Sequence, residues 1–299
     1  MGNRRPRVAV LDDDLAFVEL MQALLSEEGF EPIALALDGA DPVGSISGAG
    51  ADVVLLDLQG VTEDGGFDLL RALRNDTRIA NVPVLVCSAD IGFIRDHAAD
   101  LARMPAVAAL EKPFRIDTLT GALQRLLSGE LGPPPEGGPA SAEAVAAVEK
   151  WLAHIGATLR WPVLDAWVPD TRGGMLRCAA AWCATEGLQP FAELSRRTHL
   201  PFGGGVPGRI WVSGRPAWIE DLWSDLNFPR LATARRVGLV SSAAVPVLDA
   251  GITVGVVAAY NTLRRTRDVG MLERLREAAQ EAGPMLRAAA GIPEVTVGS

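Results

Sequence analysis

Four short apolar runs in the first half of this 299-residue chain end in residues able to do chemistry. Val8–Leu11 leads into Asp12-Asp13-Asp14, and Val53–Leu56 leads into Asp57. Val84–Cys87 is followed by Ser88, and Val107–Leu110 by Glu111-Lys112-Pro113. Carboxylates held close together repel one another, and burial raises the cost. A hard divalent cation bound through oxygens removes the conflict, and Mg²⁺ suits a shallow site that keeps its waters. A carboxylate beside Mg²⁺ and a lysine can accept a phosphoryl group, because that transfer depends on positioning and charge neutralisation. A lone Asp at a strand end is ordinarily a cap, and a lone Asp triplet a solvated turn. The reading rests on all four features occurring in order.

That order needs a scaffold that brings the ends of the runs to one edge. The runs Val8–Leu11, Ile33–Leu37, Val53–Leu56, Val84–Cys87 and Val107–Leu110 are short and rich in β-branched residues, as buried parallel strands are. Helix patterns lie between them: Leu15, Val18, Met21, Leu24 and Leu25 form one face before Gly29, and Leu69, Leu70 and Leu73 another. Five such repeats predict a doubly wound five-stranded parallel sheet of α/β class, with functional residues at the C-terminal strand ends.

Composition divides the chain. The stretch GELGPPPEGGP, 129–139, reads as a linker, since Pro and Gly favour neither helix nor sheet. Residues 1–128 hold 11 Lys and Arg against 20 Asp and Glu, which is the whole of the net charge of −9. Neither half has the basic balance that binding to nucleic acid requires. No apolar run is long enough to span a bilayer, and the basic start Met1–Arg7 lacks the h-region of a signal peptide, so a cytoplasmic protein without membrane insertion is expected. Cys87, Cys178 and Cys183 have neither zinc-like spacing nor the even number of a disulfide framework.

After the linker the texture changes. Residues 141–159 read as a helix with Val145, Val148, Leu152, Ile155 and Leu159 spaced three and four apart. Strand-like pieces follow at 162–168, 176–182, 217–220, 242–248 and 253–260, and a last helix spans about 268–290. Helices at both ends of an antiparallel sheet predict an α+β domain. All seven tryptophans fall between Trp151 and Trp223 and are read as core rather than as a ligand cage, with Trp211 and Trp218 packing inward. Gly203-x-Gly205-x-x-Gly208 matches a dinucleotide fingerprint only formally, because Gly214 and Pro216 end the following helix within two turns. His97 and His154 are read as surface or core residues.

The segments VAVLDDD (8–14), VVLLDLQG (53–60), VLVCSA (84–89) and EKPF (111–114) resemble the response-regulator receiver family over about residues 6–128, which has a flavodoxin-like fold. The resemblance implies that Asp57 is the phosphoacceptor. It implies Asp12 and Asp13 as Mg²⁺ ligands together with Asp57 and the backbone carbonyl of Gln59. It makes Ser88 a partner of the phosphoryl oxygen, and Lys112 its counter-charge beside a cis peptide at Pro113. The sequence departs from the family twice. Ala109 stands where an aromatic switch residue is usual, and the loop after Asp57 is one residue longer and lacks the usual Pro. Rotation of an aromatic ring therefore cannot carry the output.

The second half resembles the GAF family over about 142–290, through WPVLDAWVPD (161–170), PFGGGVPGRIWVSGRPAWIEDL (201–222), FPR (228–230), GLVSSAAVPVL (238–248) and GITVGVVAAY (251–260). Its ligand is not identifiable. His199 has no cysteine beside it, which argues against bilin attachment. The expected organisation is a receiver domain at 1–128, a linker at 129–140, a GAF domain at 141–290 and a tail at 291–299. The two resemblances imply a bacterial two-component phosphorelay protein rather than an enzyme, whose receiver only assists its own phosphorylation and dephosphorylation. Its expected partner is a sensor histidine kinase or a phosphotransfer protein, and a homodimer is expected through the GAF end helices. The alternative is a small-molecule sensor module whose receiver is mainly a docking surface.

Overall fold

The computed structural model describes residues 4–36, 41–58, 65–131, 138–171 and 173–293. The chain separates into two compact units, Met1–Pro133 and Pro134–Ser299.

In the first unit strands alternate with helices: β1 (Arg7–Leu11), α1 (Leu15–Glu27), β2 (Glu31–Leu35), α2 (Pro42–Ala49), β3 (Val53–Asp57), α3 (Gly65–Asn75), β4 (Val84–Ser88), α4 (Ile91–Asp96), α5 (Ala98–Arg103), β5 (Val107–Glu111) and α6 (Ile116–Leu127). The five strands form one parallel sheet in the order β2-β1-β3-β4-β5. The central strands β3 and β4 are buried along their whole length, which explains their unbroken apolar runs. Alternate side chains serve opposite layers. Ala9, Leu11, Val54, Leu56, Val84 and Val86 join one core cluster with Leu70 and Leu73 of α3.

One expectation for this unit needs correction. Leu15 is not on the buried face of α1: it is 75% exposed, while Val18, Met21 and Leu25 carry the contact. The segment between β4 and β5 forms two short helices broken at His97, whose ring stacks on Phe93 with centroids 4.2 Å apart.

The second unit runs α7 (Ala142–Leu159), β6 (Val163–Pro169), β7 (Met175–Cys183), α8 (Gln189–Arg197), β8 (His199–Pro201), α9 (Gly205–Ser213), β9 (Ala217–Ile219), α10 (Leu231–Arg236), β10 (Ser241–Asp249), β11 (Ile252–Asn261), α11 (Val269–Glu281) and α12 (Gly283–Ala290). Its sheet is antiparallel and six-stranded, in the order β8-β7-β6-β11-β10-β9. One face packs on α7, α11 and α12. The other meets α8 and α9.

The three-four stripe of α7 is spent inside this unit. Val148, Leu152, Ile155 and Leu159 share one buried cluster with Leu164, Ala166 and Val168 of β6 and with Leu272, Leu275 and Ala279 of α11. Packing on its own sheet therefore takes the seam that was expected to join two chains. A homodimer through α7 and α11 would have to use their outer faces. The last helix is also not continuous: α12 starts anew at Gly283-Pro284, where proline cannot donate to the preceding turn. Gly138, inside the expected linker, belongs to the second unit, since its N–H donates to Ala290 O at 2.7 Å.

Gly156 in α7 lies directly under the Trp182 ring, and a Cβ there would collide with it. Helix propensity alone favours alanine by about 1 kcal/mol, but overpacking costs about 1–3 kcal/mol. Gly156→Ala is expected to destabilise the second unit. Tryptophan fluorescence during urea unfolding checks this, because all seven tryptophans lie in that unit.

Candidate functional site

The three consecutive aspartates after β1 have three different environments. Asp12 is buried, and its Oδ1 accepts the Asp14 N–H at 2.9 Å. Asp13 is exposed. Asp14 caps α1, its Oδ1 accepting the Ala16 and Phe17 N–H groups at 2.9 and 3.3 Å, a role that matches Asp preference at helix starts. Only the first two place an oxygen in the cluster with Asp57. Parallel pairing of β1 with β3 brings Asp57 alongside, and it too is buried. One oxygen from each of Asp12, Asp13 and Asp57 lies within 4.8 Å of the others.

Lys112 follows β5 and reaches across the sheet edge. Its Nζ donates to Asp12 Oδ2 and to Asp57 Oδ2, both at 2.7 Å. The Lys112–Pro113 peptide is cis. The ammonium also lies 3.9 Å from the centre of the Phe17 ring, which meets Phe114 edge-on at 6.3 Å. Phe17 gave no signal in the sequence beyond its place in the first turn of α1. Its contact is a cation–π interaction that steadies the lysine between the two acids.

Charge is not balanced here. Three carboxylates face one ammonium, an excess of two negative charges. Burial holds the Asp12 carboxyl above its ordinary pKa, and repulsion from Asp57 adds to this, although Lys112 and the Asp14 amide pull the other way. Burial works against the charge on Lys112, but its bonds to Asp12 and Asp57 outweigh that and raise its pKa. The donor set is all oxygen, and Asp13 opens it to water, so the residues fit a Mg²⁺ ion that keeps part of its hydration.

Ser88 ends β4, is buried, and accepts the Asp90 N–H at 3.0 Å. Its backbone oxygen accepts the Lys112 N–H at 2.8 Å, which ties the ends of β4 and β5 together. Ala109 is buried beside Ile94 and Leu101 in the core cluster. The nearby rings belong instead to Phe67, Phe93 and His97, which contact one another on the α3–α4 side. Gln59, read from the sequence as a backbone ligand, lies outside the described residues.

In the second unit Cys178 and Cys183 both lie in β7, and burial raises both thiols' pKa values. His199 pairs with Asp170 at 3.1 Å, and His154 is exposed on α7. The glycine-rich segment forms the start of α9, which ends at Gly214 after nine residues. A Cβ on Gly208 would strike Pro201 O, so this glycine serves close packing. Among the described residues, no helix is long and apolar enough to cross a membrane.

Parts of the chain are similar to known proteins. Over 122 residues the chain is 31% identical to the DNA-binding dual master transcriptional regulator RpaA of Synechocystis sp., covering 41% of this chain and 49% of that one. It is 28% identical to the chemotaxis protein CheY of Pseudomonas aeruginosa over 122 residues, covering 40% of this chain and 94% of CheY. Its length thus spans about half of the regulator. The solved GAF domain of an Acinetobacter phosphoenolpyruvate-protein phosphotransferase superposes with a TM-score of 0.40 at 14% identity, covering 58% of this chain and 93% of that one. Residues 8–124 match the family model of the response regulator receiver domain and residues 153–288 that of the GAF domain. The chain therefore carries a response regulator receiver domain followed by a GAF domain.

Proposed function

We propose that this protein is a two-component signalling protein that takes a phosphoryl group on Asp57 from a histidine kinase or phosphotransfer partner, with the GAF domain coupled to that event. The observation that carries the reading is the Lys112 ammonium 2.7 Å from both Asp12 and Asp57, within a carboxylate set that still has two charges to neutralise. When bound, Mg²⁺ would supply the remaining positive charge and screen an incoming phosphoryl group from the carboxylates. Asp12, Asp13 and Asp57 would hold it. Asp57 is the nucleophile because it ends the central strand with one oxygen fixed by Lys112 and the carboxylate directed to the sheet edge. Lys112 would pass from the Asp57 carboxylate to the phosphoryl oxygens, and Phe17 would limit its excursion. The Ser88 hydroxyl would donate to a phosphoryl oxygen.

The test is incubation with acetyl phosphate, read by intact mass. The wild-type chain is expected to gain the mass of one phosphoryl group only with Mg²⁺, and Asp57→Ala to gain none. Uptake that persists unchanged in Asp57→Ala, or that needs no divalent cation, overturns the reading.

With Ala109 in place of a ring, a phosphoryl group on Asp57 has only Ser88 to pull toward it from the end of β4. A switch needs an element with two arrangements, and the small buried Ala109 provides none. Coupling to partner affinity is expected to be about 1 kcal/mol or less, below the usual range of about 1–3 kcal/mol. Hydrogen exchange with and without a beryllium fluoride mimic checks it. Little change is expected over residues 91–104, and strong protection there and in the GAF domain would contradict it.

A further inference from the structure

The sheet of the GAF domain has two unlike faces. Leu164, Ala166 and Val168 of β6 enter the apolar cluster under α7 and α12. The alternate residues Asp165 and Trp167 face the other way, toward α8, and both are fully buried. A carboxylate in that position costs several kcal/mol unless a cation meets it.

The cation comes from outside the sheet. Arg230 immediately precedes α10 and is 2% exposed. Its Nη1 donates to Asp165 Oδ2 at 2.6 Å and to the Ser195 hydroxyl, and its Nη2 donates to the Tyr260 hydroxyl at 2.6 Å. Four rings surround the guanidinium carbon: Phe191 at 4.8 Å, Trp167 at 4.9 Å, Tyr260 at 5.3 Å and Phe228 at 5.5 Å. All are inside the range over which a ring face attracts a cation. Asp165 is itself oriented by Trp167 Nε1 at 2.7 Å and by Ser195 Oγ at 3.1 Å. The side chains that form this box come from β6, β11, α8 and the segment before α10.

Ring faces on several sides with one oriented carboxylate are the features by which proteins recognise organic cations, and the planar fork of hydrogen bonds selects a guanidinium among them. A core built only for packing gains more from apolar side chains than from a buried ion pair. We propose that the α8 side of the GAF sheet is a guanidinium-binding site whose occupant is the chain's own Arg230, so that this face works without a diffusible ligand.

Two measurements on the full chain test this. In wild type, the Arg230 Nε–H signal in a proton–nitrogen spectrum is expected to be shifted upfield by the rings and to exchange at least about tenfold more slowly than exposed arginines. Signals indistinguishable from those of exposed arginines would overturn the proposal. Arg230→Ala opens the cage, and ethylguanidinium is the probe. It is expected to raise the melting temperature of the variant by about 3–6 °C at about tenfold its Kd. Ethylammonium is expected to do less than half as much, and wild type should not respond. Adding Asp165→Asn to the variant should abolish the ethylguanidinium response. If Arg230→Ala does not fold alone, ethylguanidinium should restore folding. Failure of the probe to rescue either folding or melting temperature, or saturable stabilisation of wild type, would overturn the assignment.

Discussion

Lys112 Nζ stands 2.7 Å from Asp12 and from Asp57, and the receiver domain is arranged so that this can happen. The two acids and the lysine come from the ends of β1, β3 and β5, which the sheet order brings to one edge, with β1 beside β3 and β4 between β3 and β5. Reversing any one strand would place its functional residue at the opposite edge. The fully buried runs of β3 and β4 hold that order in place, because both faces must be covered by helices. The ammonium is shared between two acids, steadied by Phe17, and too small in charge to neutralise three carboxylates. The residual charge is what a divalent ion would neutralise, and the exposed Asp13 leaves the set open to water.

The GAF domain meets the same constraint in a different way. Asp165 is buried more deeply than Asp57, yet it faces a single guanidinium that matches its charge and three further donors that fill its lone pairs. Nothing is left for an ion to neutralise. Burial opposes the charge on Arg230, but Tyr260 and Asp165 outweigh it and raise its pKa. One unit thus keeps an incomplete charge set at an exposed edge, where chemistry can occur. The other seals a complete set inside, where it orders α8 and the segment before α10 against the sheet.

Much of the first site was legible because its residues sit at strand ends, and strand ends can be read from where an apolar run stops. Asp12, Asp57 and Ser88 directly follow such a stop, and Lys112 lies two residues past one. Phe17 was not legible, since its contact spans from α1 to the loop after β5 and leaves no periodicity. Leu15 was misread because it is the first residue of α1, and an apolar side chain at a helix end need not be covered even when it lies on the stripe. In the second half Asp165 and Arg230 lie 65 residues apart, each looking like an ordinary surface charge in its own segment. The spacing of the α7 stripe reads as a seam for a partner helix, but the same spacing suits a sheet, and the sheet took it. The short strand β8 and helix α10 were missed because a few residues carry no period.

The central claim is that Asp57, alone among the clustered carboxylates, receives the phosphoryl group. Borohydride reduces an acyl phosphate to an alcohol with loss of phosphate, which converts the modified aspartate to homoserine. Phosphorylating the full chain with acetyl phosphate and Mg²⁺, reducing it and mapping its peptides by mass reads the position directly. The account predicts homoserine at position 57 and none at positions 12, 13 or 14. Homoserine at Asp12 or Asp13, or none in the receiver domain while phosphoryl label is present elsewhere in the chain, would contradict it.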